Sequence, residues 1–422
     1  MEDSQALPPA PTLWRHGDFM RLWVAQTISV FGSGFTQLAL PLIAATTLQA
    51  TPAQMGILGA AEFAPFLLVG LVAGVWVDRV RRRPVLVAGD VARAALLLTI
   101  PAAAVAGALG MGQLYVVGFL VGVCTVFFDV AYQAYLPSLV DRRQLVEGNS
   151  KLEATRSLAQ IASPGIAGVV IEVLTAPFAL VLDALSYLVS GGLLARIRRP
   201  EDPPDPANRR PVLTEIREGL AVVVGHRLLR AIAATTGTSN FFSSAVGALF
   251  ILYATGVLGL SPATLGLIFG VGNTGGLVGA TLAGRLARRF GVGPTIVGSA
   301  ALFGAYFLPL LVATPATAAP LLVAGGFVGS AGGLIYNVNQ VSLRQAIVPQ
   351  RLQGRLNATM RFLVWGTIPL GSLVGGALGE GLGLRAAVLV GVLGSLTPFL
   401  WVLGSPVRTL RQVPEPDAGA EG

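Results

Sequence analysis

Of 422 residues, 53% are hydrophobic and 12% charged, and the mean hydropathy is +0.71, whereas a soluble domain carries about 25% charged residues. A net charge of +8 would suit nucleic acid if it were clustered, but the 28 arginines and one lysine are spread between long apolar runs. The single cysteine, Cys124, excludes an intramolecular disulfide framework and a cysteine-based metal cluster.

Residues 1–18 read as a cytoplasmic tail; Met1 to Leu13 is polar and proline-rich, without the short apolar core of a signal peptide. Six apolar helices are then predicted over 19–46, 54–77, 84–108, 113–139, 150–172 and 176–196, together an N-terminal bundle of residues 19–196. Residues 197–227 form a linker. Five prolines between Pro200 and Pro211 keep its first part from being helical throughout. Its second part, Leu213 to Val224, reads as an amphipathic helix on the inner membrane surface. Six further helices are predicted over 228–256, 262–284, 293–314, 317–343, 356–380 and 384–404, a C-terminal bundle of residues 228–404 before a second tail, 405–422. The runs 231–284 and 290–343 contain no Asp, Glu, Lys or Arg; each is 54 residues long, room for two spans of ~20 residues and a tight turn.

The turns alternate. Those at 48–53, 108–112, 257–262 and 313–319 carry no charge, while those at 79–83, 141–151, 285–289 and 344–355 are basic. With the basic turns on the cytoplasmic side, 25 of the 29 basic residues lie there; Arg93, Arg156 and Arg361 fall within helices and Arg385 faces outward. Both termini are therefore expected in the cytoplasm.

The chain also repeats itself. Gly70, Leu71, Val72, Arg79, Arg82 and Arg83 recur 206 positions later as Gly276, Leu277, Val278, Arg285, Arg288 and Arg289. Thr51-Pro-Ala-Gln-Met-Gly56 is matched by Ser261-Pro-Ala-Thr-Leu-Gly266, and Val140, Arg143 and Asn149 by Val348, Arg351 and Asn357. Two homologous halves of six helices, joined by a long central loop, resemble the major facilitator superfamily, an all-α membrane fold of twelve helices in two pseudo-symmetric bundles. Gly74, Asp78, Arg79, Arg82 and Arg83 match its loop motif Gly-x-x-x-Asp-Arg-x-Gly-Arg-Arg, with Arg81 in place of the second glycine. In the second copy Gly284 replaces the aspartate, so gating by a charged turn is expected to be asymmetric. Phe127 to Pro137, Leu145 to Glu153 and Asn357 to Trp365 resemble, more narrowly, the third drug:proton antiporter family, whose members include macrolide-efflux and siderophore-exporting proteins.

The resemblance implies that Asp78 gates the cytoplasmic side by contacting the eleventh helix when that side closes. Gly74 would allow the close approach, and Arg79, Arg82, Arg83, Asp90, Arg285, Arg288 and Arg289 complete the gating set. Alternatively, the basic turns only anchor topology, and Asp90 and Arg93 are an intrahelical pair, as are Glu153 and Arg156. Three carboxylates within predicted spans, Asp129, Glu62 and Asp183, are candidate proton carriers, because ionisable groups in a bilayer are costly. The competing reading for each is a structural pair with Arg93, Arg156 or Arg361, or a hydrogen-bonded acid. Candidate cavity residues are Gln26, Ser33 and Gln37 on the first helix, Tyr132 and Gln133 beside Asp129 on the fourth, Asn240 and Ser243 on the seventh, and Tyr336, Asn339 and Gln340 on the tenth. Polar glue between helices is the alternative.

No phosphate-binding loop or serine-hydrolase elbow is present, and both histidines, His16 and His226, lie in predicted cytoplasmic segments. Neither an enzyme, a cofactor nor a metal centre is expected. The expectation is a monomeric, proton-coupled exporter of amphipathic small molecules in a bacterial inner membrane, with protons and lipid as its other partners and no nucleic acid. An exporter of one siderophore or other secondary metabolite is the alternative, and a non-transporting membrane sensor a third.

Overall fold

The computed structural model describes residues 12–201 and 220–412. Its helices are α1 (Gly17–Leu42), α2 (Pro52–Leu68), α3 (Gly70–Val77), α4 (Arg82–Val105), α5 (Met111–Leu139), α6 (Leu145–Leu174), α7 (Ala176–Ala195), α8 (Arg227–Gly256), α9 (Pro262–Phe290), α10 (Val292–Gly304), α11 (Ala318–Ile347), α12 (Gln350–Trp365), α13 (Thr367–Leu382), α14 (Leu384–Ser395) and α15 (Phe399–Leu403). All twelve predicted segments are thus helical. Among the described residues, ten helices are long and apolar enough to cross a membrane. Of the other two, one is interrupted at Val69, between α2 and α3, and one is α8, diluted by the polar stretch Thr235 to Ser244. Most of the predicted amphipathic helix 213–224 lies outside the described residues.

Local chemistry sets many of the ends. Thr51 caps α2 in a reciprocal capping box with Gln54, and Ser261 caps α9 by accepting from Thr264 N–H; both helices carry proline at their first position. The turn between α13 and α14 is the single residue Gly383, at φ +86°, a conformation glycine adopts without a Cβ clash. The basic turn expected at 285–289 is instead the last turn of α9, because the chain reverses at Gly291, φ +95°. Arg288 and Arg289 then sit where a helix C-terminus favours cations.

Five helix pairings build the first half: α1 on α7, α4 on α7, α1 on α6, α2 on α5 and α4 on α5. The second half repeats them as α8 on α14, α10 on α15, α8 on α13, α9 on α11 and α10 on α11. Two glycine-dense stretches, Gly270 to Gly276 and Gly325 to Gly333, meet in the α9–α11 contact, where a Cβ on Gly272 would stand 3.2 Å from Gly326 Cα.

Among the described residues, the halves share a buried core at one end only. A single buried apolar cluster at the charge-free end takes Leu42, Leu58, Leu97 and Ile171 from the first half and Leu249, Leu265, Leu322 and Val388 from the second. At the basic end, the described residues form two separate clusters. One belongs to the first half (Phe19, Leu86, Tyr135, Leu194) and one to the second (Leu229, Ile296, Leu343, Met360). Two glycine crossings carry the join. A Cβ on Gly168 of α6 would stand 2.9 Å from Gly266 Cα of α9, and one on Gly376 of α13 would stand 2.8 Å from Gly56 Cα of α2.

Candidate functional site

The turn expected to gate the cytoplasmic side leaves Asp78 uncovered. Asp78 is exposed and, among the described residues, makes no hydrogen bond or ion pair. A Cβ on Gly74 would meet no described residue within 4 Å. Arg79, Arg285, Arg288 and Arg289 are exposed as well. Arg83 instead works within its own half, its guanidinium donating to the carbonyl oxygens of Leu194, at 3.2 Å, and Ala195 at the end of α7. In return Glu201 accepts from the first N–H groups of α4, those of Arg82 at 2.6 Å and Arg83 at 2.7 Å. Arg199 donates to the Leu139 carbonyl at 2.8 Å, and Asp18 accepts from the N–H of Arg199 at 3.1 Å. Residues 196–201 therefore strap the basic end of the first half together. Glu201 was not singled out by sequence; its only signal was a carboxylate near a helix end.

Inside the first half lies a polar network. Asp90 and Arg93 pair at 2.5 Å on one face of α4, both buried, and the Arg93 guanidinium lies over the rings of Phe128, at 4.3 Å, and Tyr187, at 4.2 Å. Asp90 thus has its ion-pair partner on its own helix. The Tyr187 hydroxyl meets Ser33 at 2.9 Å. Asp183 is fully buried and accepts from Thr36 and, at 3.1 Å, from Ser186. Removing one partner of a buried pair strands the other charge, so Asp90→Ala is expected to cost about 3–5 kcal/mol. Thermal unfolding of the detergent-solubilised protein measures it, and an unchanged midpoint would show the pair to be dispensable.

Asp129 and Glu62 are placed differently. Asp129, two-thirds of the way along α5, is half-buried, and no described residue hydrogen-bonds its carboxylate. Arg93, Arg361 and Arg156 act on it electrostatically, and Arg361 belongs to the second half. Glu62 on α2 lies against Gly118 of α5, 3.3 Å from where a Cβ would be, with no hydrogen bond or ion pair among the described residues. Glu153 and Arg156 form an exposed pair at 3.8 Å.

The cavity candidates divide. Gln37 and Gln133 are exposed and Ser243 is half-buried. Buried polar atoms of Gln26 and Tyr132 have no hydrogen-bond partner among the described residues. Other candidates hold helices together. Ser33 faces Tyr187, Asn240 donates to the Val364 carbonyl at 3.1 Å, and the Tyr336 hydroxyl meets Thr236 at 2.7 Å. Asn339 donates to the Ala283 carbonyl of α9 at 3.5 Å as well as to Ile335 on its own helix at 2.9 Å. Gln340 donates only within its helix, to Asn337 at 3.1 Å, and its buried Oε1 has no hydrogen-bond partner among the described residues. Helical periodicity located these polar stripes but not the neighbour each one meets.

The profile of a family described as transmembrane secretion effector matches residues 8–417. The multidrug efflux pump Tap of Mycolicibacterium fortuitum is 27% identical over 389 residues, covering 89% of this chain and 92% of that protein. Macrolide efflux protein A of Streptococcus pyogenes is 24% identical over 269 residues, 63% of this chain and 66% of that protein. Among solved structures, a bacterial homologue of the iron transporter ferroportin, in its inward-facing state, aligns with a TM-score of 0.74 at 15% identity, covering 93% of this chain and 99% of that one. At that identity the likeness speaks for the fold alone.

Proposed function

Because the chain belongs to the transmembrane secretion effector family of the major facilitator superfamily, we propose that this membrane transporter exports amphipathic small molecules in exchange for protons, by alternating access. The observation that carries the reading is the one-sided join of the halves, with a shared core at the charge-free end and separate cores at the basic end. With the basic end in the cytoplasm, this is the conformer that takes up cargo from inside. Asp129 is the preferred proton carrier. Its carboxylate has no hydrogen bond among the described residues and responds to a guanidinium of the opposite half, so its charge bears on how the halves sit. Glu62 is the second candidate. Asp183, already held by Thr36 and Ser186, fits a structural role better. Drug and macrolide pumps among the relatives support a drug- or macrolide-like cargo.

The test is flux of lipophilic dyes and macrolides in proteoliposomes, with a pH gradient imposed or collapsed. Flux that follows the gradient is the expected result. Flux of the same size without it would remove proton coupling, and flux of a single metabolite alone would make the protein a dedicated exporter.

A further inference from the structure

Two acidic residues have no part in the reading so far. Glu172 ends α6 and Glu380 ends α13, positions 208 apart, the offset that also relates Val140 to Val348. A carboxylate in the last turn of a helix opposes that helix's own dipole, so each needs a partner elsewhere. Both find it across the molecule. Glu172 Oε2 accepts from Ser261 Oγ and from Ala263 N–H, each at 2.9 Å, at the start of α9. Glu380 Oε2 accepts from Ala53 N–H at 3.2 Å, at the start of α2. The receiving helices open with the equivalent triplets Ser261-Pro262-Ala263 and Thr51-Pro52-Ala53. Proline at the first position has no N–H to give, which leaves the alanine N–H as a free donor at the positive end of the helix.

The glycine crossings place these contacts. Glu172 follows Gly168 by four residues and Glu380 follows Gly376 by four, while Gly266 and Gly56 follow the receiving prolines by four. Each glycine pair brings two helices together, and one turn further out the glutamate of one half reaches the helix start of the other. Among the described residues neither glutamate has a lysine or arginine partner.

We propose that Glu172 and Glu380 are two symmetry-related latches that hold the face opposite the basic turns shut, each a carboxylate of one half seated on a helix N-terminus of the other. Both contacts break together when the halves rock open at that face. The assignment rests on the alternating-access reading given above. It adds a device at the face opposite the Asp78 turn, built from the same interaction of a carboxylate with a helix end.

Pulsed electron–electron double resonance tests it without cargo or gradient. Nitroxides are placed at Ala108→Cys and Ala316→Cys, exposed positions in charge-free turns of the two halves, in a Cys124→Ser background. The expected result for Glu172→Ala with Glu380→Ala is a roughly tenfold rise in the population with long distances, with each single change giving a comparable smaller part. The Glu→Gln pair, which keeps the reach and removes the charge, is expected to fall between. An unchanged distance distribution in a monodisperse double variant would overturn the proposal, as would one glutamate carrying the whole effect. Proteoliposome flux is read separately. A distance shift in a protein that moves no cargo would leave the latches standing and remove the export reading.

Discussion

Asp129→Asn is expected to reduce gradient-driven transport to the level of protein-free vesicles while the protein still folds and inserts. The substitution keeps the size of the side chain and its oxygen acceptor, and removes only the ability to ionise. Three features make it decisive. The residue lies well within the α5 span, where an ionised group is expensive unless it is used or paired. Of the guanidinium groups that act on it, that of Arg93 is already matched by Asp90 at 2.5 Å and stacked on Phe128 and Tyr187. That of Arg361 belongs to the other half, over Trp365 at 4.7 Å. In the proposed cycle an ionised Asp129 would draw the halves together and its protonation would release that pull. Two comparisons sharpen the result. Glu62→Gln, which alters a carboxylate with no charged partner nearby, should reduce transport less. Asp183→Asn, at a carboxylate satisfied by Thr36 and Ser186, should lower thermal stability before it touches coupling. Transport that survives in Asp129→Asn at wild-type rate, with Glu62→Gln inactive, would move the proton site to α2.

Gly168→Val is expected to stop the cycle by a different route, preventing closure of the face opposite the basic turns. Its Cβ would stand 2.9 Å from Gly266 Cα and closer still to the Pro262 carbonyl oxygen, and backbone cannot rotate away as a side chain does. Gly376→Val is the symmetry-related test, with Gly56 Cα and the Pro52 carbonyl oxygen both at 2.8 Å. Overpacking of this kind costs about 1–3 kcal/mol, which shifts a two-state equilibrium about 5- to 150-fold. The same spin-label pair should report a population dominated by long distances, and transport should fall in proportion. Gly276→Val, on α9 where a Cβ meets nothing within 4 Å, should leave both readings at wild-type values. Equal effects at Gly276 and Gly168 would mean that the loss comes from a general burden on the helices and not from the crossing.

Much of this was legible in the sequence because the bilayer acts locally. Each span must satisfy its own backbone and present apolar side chains over a fixed length, so charge-free runs such as 231–284 marked their helices before any contact was known. The alternation of basic and charge-free turns and the repeated motif gave the two halves, and composition excluded a soluble domain. Tertiary structure alone decided the rest. It set which face is closed, because closure depends on Gly168 meeting Gly266 and Gly376 meeting Gly56, residues about a hundred or more positions apart. It broke the second and eleventh predicted helices at Val69 and Gly366 and turned the second basic motif into helix. It sent Ser33, Tyr336 and Asn339 into helix contacts while leaving polar atoms of Gln26 and Tyr132 unpartnered among the described residues. A helical repeat fixes which residues share a face, but the rotation of that face toward a neighbour is set by packing against helices far away in the chain.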